Sequence, residues 1–102
     1  MDIEEIIKFG VLDQDHLADL LIGHESLANE IHCRVLELLE HGLVELYTYS
    51  NEHQYPIVLE KIQAISVAKN PDSWHWQSLS GSSQYYFLAP VRLSNGSLAY
   101  GL

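Results

Sequence analysis

Six histidines, one cysteine and fourteen carboxylates are the residues in this 102-residue chain most able to do chemistry. His16, His24, His32, His41, His53 and His75 would suggest a metal centre if two imidazoles shared a helix face. No two of them are four residues apart, the spacing such a pair needs. Glu37 and His41 have that spacing, and a surface ion pair at a helix C-terminus accounts for them. Cys33 stands beside His32, but neighbouring helical positions point about 100° apart, so thiol and imidazole do not form a nucleophile–base pair. A buried or half-buried structural cysteine is expected. Ser80, Ser82 and Ser83 surround Gly81 without the nucleophile-elbow spacing of acyl transfer. Two carboxylates can share acid–base work, yet fourteen of them single out no pair. The expectation is a protein that binds and does not catalyse, with no cofactor and no metal.

The elements that position these residues follow from periodicity and caps. Asp2 and Glu5 form a capping box for a helix over 2–10, with Ile3, Ile6 and Ile7 on one face and Gly10 as its stop. Asp13 caps a second helix with Leu17, Leu20 and Leu21 as its stripe, ended by Gly23. Ser26 caps a third, to about His41, with Leu27, Ile31, Val35, Leu38 and Leu39 inward and Gly42 as a left-handed cap. Glu30→Arg34 and Glu37→His41 are its expected surface pairs. Leu43 to Tyr49 alternates as a half-buried strand, Leu43, Glu45, Tyr47 and Tyr49 against Val44, Leu46 and Thr48. Pro56 suits the first turn of a fourth helix, which Asn70-Pro71 ends. Trp74–Leu79 and Gln84–Ala89 read as strands, Pro90 as an interruption. Asn95-Gly96 reads as a turn joining 91–93 to 98–100. The fold class is α+β: three N-terminal helices, a strand, a fourth helix and a C-terminal antiparallel β meander. With no linker or repeat, residues 1–102 read as one domain.

The net charge of −9 is unevenly spread. Residues 1–45 hold eleven carboxylates against Lys8 and Arg34, and residues 46–102 are neutral. A single cysteine excludes an intrachain disulfide and fits a reducing compartment. No apolar run reaches membrane length, and the acidic start lacks the basic region of a signal sequence. A cytoplasmic location is expected.

Asp13-Gln14-Asp15-His16-Leu17-Ala18-Asp19-Leu20-Leu21, with the helix and strand running from Val35 through Gly42-Leu43-Val44 to Tyr47, resembles a winged-helix domain. The resemblance covers residues 13–49 and implies a winged-helix-like core. DNA binding does not follow from it. Phosphates are neutralised by lysine and arginine, and the would-be recognition helix offers Arg34 against Glu25, Glu30, Glu37 and Glu40.

The chain is similar in type to small acidic bacterial immunity proteins and antitoxins. That similarity implies an inhibitor whose acidic face meets a basic, toxin-like or nuclease-like protein, with no direct contact to nucleic acid or membrane. The residues expected to carry the contact are Asp13, Asp15, Asp19, Glu25, Glu30, Glu37 and Glu40, joined by Trp74 and Trp76. In a strand the two tryptophans would share a face, either in the core or as interface anchors. The alternative is a winged-helix-like regulatory or dimerisation module, a homodimer, without catalytic activity.

Overall fold

Asp2 caps the first helix as its position predicts, its Oδ1 accepting the Glu5 N–H at 2.9 Å. In the computed structural model, which describes residues 2–49, 55–75 and 85–100, this helix, α1, spans Ile3–Asp13. It does not stop at Gly10. A Cβ on Gly10 would lie 2.2 Å from Leu20 Cδ2, so the glycine serves close packing, and left-handed Gln14 (φ 54°) ends the helix.

Asp13 is therefore the last residue of α1 and not a cap. The expected second helix is a 3₁₀ turn, Leu17–Leu21, whose cap is His16: Nδ1 accepts the Ala18 N–H at 2.9 Å. The residues before it are extended, with His16 bridged to Phe87, which leaves too little chain for an α-helix before left-handed Gly23. Ser26 is not a cap either. It lies in a second 3₁₀ turn, Glu25–Leu27, that leads directly into α2, Ala28–Glu40.

The end of α2 is as the sequence predicts. Gly42 (φ 69°) donates to the Leu39 carbonyl and Leu43 to the Leu38 carbonyl, the paired bonds of a Schellman cap. The polar face of α2 differs from expectation. Arg34 Nε donates to Glu4 Oε1 at 2.6 Å and its Nη1 to Glu37 Oε2 at 3.1 Å. Tyr100 Oη donates to the other Glu4 oxygen, so the C-terminal segment, α1 and α2 are tied at one carboxylate. Arg34 thus pairs with Glu4 and Glu37, not Glu30, because Glu4 is brought to it from another helix.

β1, Val44–Tyr49, is the centre of a three-stranded antiparallel sheet of order β2-β1-β3. Its alternation holds only in part: Val44, Leu46 and Thr48 are buried as expected, but Tyr47 on the opposite face is buried as well, under Phe87. The segment beginning at Pro56 is not helical. It is strand β2, Pro56–Val58, and α3 begins only at Lys61 and runs to Lys69. Proline suits an edge strand as well as a first helical turn, and Ile57-Val58 favours the strand.

Trp74 is not in a strand. Pro71–Trp74 is a 3₁₀ turn capped by Asn70, and residues 76–79 and 84 lie outside the described part of the chain. β3, Phe87–Pro90, includes the proline expected to interrupt it. The hydrogen bonds explain why. Leu88 donates outward to the Asp15 carbonyl, so in alternation Pro90 also faces outward and no ladder bond to β1 needs its missing N–H. On the other side Leu59 donates to Leu46, so Pro56 and Val58 point to the open edge. Beyond β3, Gly96 (φ 87°) turns the chain as the Asn95-Gly96 signal predicts, but the expected hairpin of 91–93 with 98–100 is reduced to a single isolated bridge, Arg92 to Leu98.

The described residues are thus a mixed α/β arrangement with three α-helices and one antiparallel sheet, α+β but not four helices and a meander. Ile7, Val11, Leu17, Leu20, Ile31, Val35, Leu38, Leu46 and Leu88 form the core between helices and sheet.

Candidate functional site

α1 is amphipathic but not wholly so. Ile7 and Val11 face the core, while Phe9 and Leu12 are 54% and 53% exposed. After the Gln14 reversal the chain passes back beside α1, and the absence of a side chain on Gly10 lets Leu20 press against the helix. Between α1 and the Leu17–Leu21 turn lies an open cleft of about 250 Å³. Its apolar surface comes from Ile6, Phe9, Leu20 and Ile22, the last 64% exposed. Gly10, Asp15, Asp19 and His24 complete its lining, and no lysine or arginine contributes.

The electrostatics follow from this geometry. Asp15 is half-buried, and burial, helped by the charges of Asp13 and Asp19, pushes its pKa above the usual carboxylate range. Asp13 and Asp19 are therefore near enough to Asp15 to disfavour its charge. His16 stands behind them, buried, with its ring edge-on to Tyr85 and Phe87. Burial lowers its pKa although Asp19 opposes the shift.

The expected contact residues do not form one face. Asp15 and Asp19 line the cleft, and Asp13 is close enough for its charge to act on Asp15. Glu25 is nearby in the chain, its Oε1 accepting the Gly23 N–H. Glu37 belongs to the Arg34–Glu4 group, and Glu30 and Glu40 are exposed on α2. Trp74 is in the core, 2% exposed, with Nε1 donating to the Ala68 carbonyl at 3.0 Å and its face stacked on His32 at 3.9 Å. It offers no surface to a partner. Trp76 lies outside the described residues. The residues that sequence reasoning missed are Phe9, Ile22 and His24. An apolar residue out of phase with the α1 stripe was the available signal for Phe9.

On the far side of the sheet Tyr47 stacks on Phe87 at 5.3 Å, and Tyr49 stands edge-on to both. Cys33 is exposed on α2 and not buried as expected, because it falls off the inward Ile31–Val35–Leu38 stripe. Among the described residues no group of three or more histidine, cysteine, aspartate or glutamate side chains could hold a metal ion. No described helix is long and apolar enough to cross a membrane. The chain matches no protein-family model, no curated protein and no solved structure.

Proposed function

We propose that this chain is a protein-binding inhibitor of the immunity-protein or antitoxin type, neutralising a basic, nucleic-acid-acting protein through an acidic face. The observation that carries this reading is the cleft: exposed Phe9 and Ile22 beside the carboxylates of Asp15 and Asp19, with no lysine or arginine in the lining. Apolar walls supply contact area, and charges of one sign steer a partner of the other sign and fix its orientation. The net charge of −9 extends that attraction beyond contact distance.

The test is capture of a basic partner from cells that carry the chain, followed by inhibition of that partner's activity on nucleic acid. Affinity should fall steeply between about 0.05 and 0.5 M salt, as the Debye length shrinks below roughly 8 Å. Asp13, Asp15 and Asp19 changed together to asparagine should abolish inhibition. Retained inhibition by that triple variant places the contact elsewhere and overturns the reading.

A second reading, a winged-helix-like regulatory or dimerisation module, is favoured by one arrangement. β1 and β2 form an antiparallel pair after α2, as a wing would, β2 exposes Ile57 and Val58, and Ile62 (84% exposed) follows on α3. Salt-insensitive self-association, lost in Ile62→Ser, is the result that would select it.

A further inference from the structure

We propose that two copies of this chain pair across a two-fold axis through the outer face of the sheet, the face opposite Val44, Leu46 and Thr48. The proposal rests on the dimerisation reading above and names its surface, which shares no lining residue with the cleft on α1. An open depression of about 420 Å³ lies on this face. It runs from Val58 on β2, over Glu45, Tyr47 and Tyr49 on β1, to Ala89 on β3 and Arg92 beyond it. A shallow hollow that crosses all three strands suits a broad partner surface, whereas a small molecule is held where a pocket encloses most of it. Tyr49 and Val58 are 50% and 52% exposed here, and tyrosine is enriched where interfaces hold most strongly.

Charge decides what the partner is. The lining holds one carboxylate, Glu45, and one guanidinium, Arg92. Glu45 is half-buried, yet its side chain makes no hydrogen bond and no ion pair. Burial alone pushes its pKa up. Arg92 is exposed, its Nη1 donates to the Gly96 carbonyl at 3.1 Å, and it reaches no carboxylate among the described residues. A basic partner would satisfy Glu45 and be repelled by Arg92, and an acidic partner the reverse. A second copy satisfies both. A two-fold contact sets one residue against a second and that second against the first, so Glu45 of each copy meets Arg92 of the other. Apart from Gln14 and Glu45, the lining comes from residues 46–102, which are neutral overall. This face therefore meets its copy without the repulsion that the acidic N-terminal half imposes.

The experiment is sedimentation equilibrium of the full chain at about 0.1 mM, above the micromolar dissociation constants at the weak end of such interfaces. A dimer is expected. Glu45→Arg sets arginine against arginine, and Arg92→Glu sets glutamate against glutamate. Each variant alone should self-associate at least about tenfold more weakly. Mixed in equal amounts, the two variants should form a heterodimer, because both contacts again join opposite charges. The double variant should dimerise with itself for the same reason. Arg92 is exposed, so its exchange is expected to keep the fold. If Glu45→Arg unfolds the chain, Glu45→Gln takes its place: alone it should weaken the dimer, and in the Arg92→Glu chain it should partly restore it. A monomeric chain overturns both this proposal and the dimerisation reading. A dimer indifferent to the charge exchanges, or a mixture that forms no heterodimer, overturns the proposal. If that dimer is lost in Ile62→Ser, the dimerisation reading stands without it.

Discussion

Gly10→Ala sets two effects of known size against each other. In an unhindered helix interior, replacing glycine by alanine stabilises by about 1 kcal/mol, because alanine loses less backbone entropy on folding. At Gly10 the new Cβ would sit 2.2 Å from Leu20 Cδ2. Carbon atoms at van der Waals contact are about 3.5–4.0 Å apart, so one group must move by more than an ångström. Leu20 is only 2% exposed and packs in the core, so its methyl has little free space into which to rotate. Overpacking of this kind costs about 1–3 kcal/mol, which outweighs the helix gain and leaves a net loss on the order of 1 kcal/mol. With a urea slope near 2 kcal/mol/M, the unfolding midpoint should drop by about 0.5 M. A double-mutant cycle isolates the cause. Leu20→Ala alone should cost about 2–5 kcal/mol. In that background Gly10→Ala no longer meets a methyl and should become stabilising by up to about 1 kcal/mol. If Gly10→Ala stabilises equally in both backgrounds, the glycine is not held by Leu20, and the account of how the cleft is floored is wrong.

Gly42→Ala has a simpler cause. Its φ is 69° and nothing lies within 4 Å of a Cβ there, so only left-handed strain acts, and a loss of about 1–2 kcal/mol in urea unfolding is expected. Unfolding measured between pH 8 and 5.5 should show stability falling as pH drops below the ordinary histidine value of 6.5. His16 and His32 both have folded pKa values lowered by burial, so the unfolded chain binds the extra protons, and His16→Gln should flatten part of the slope. A stability that is flat or rises on acidification in that window would contradict the burial of both rings.

Signals carried by adjacent residues were legible in the sequence. Asp2 as the cap of α1, Gly42 with the leucines before it and the turn at Asn95-Gly96 each depend on chain neighbours, and each is found in the structure, while the alternation of Val44–Tyr49 holds except at Tyr47. Gly10, Asp13 and Pro56 were misread for one reason: each residue type has two structural uses, and a distant partner decides between them. Gly10 answers to Leu20, Asp13 is absorbed into a longer α1, and Pro56 lines up opposite Tyr49. The site divides the same way. Asp13, Asp15 and Asp19 are close in sequence and close in space. The apolar half of the cleft required knowing that α1 continues past Gly10 and that Ile22 returns beside it. Arg34 finds Glu4 across thirty residues, a pairing no local spacing encodes.

The outward placement of Pro56 and Pro90 bears on how this chain behaves when concentrated. Negative charge keeps copies apart wherever it is dense, but the strand-bearing half of the sequence has none to spare. A sheet edge with a full row of donors is a template on which another copy can be laid down. Here one edge is met by the Asp15–Leu17 segment, and each outer strand carries a proline whose nitrogen has no hydrogen to offer. On the described strands, backbone chemistry thus thins the row of donors on which another copy could be laid, where the acidic half relies on repulsion.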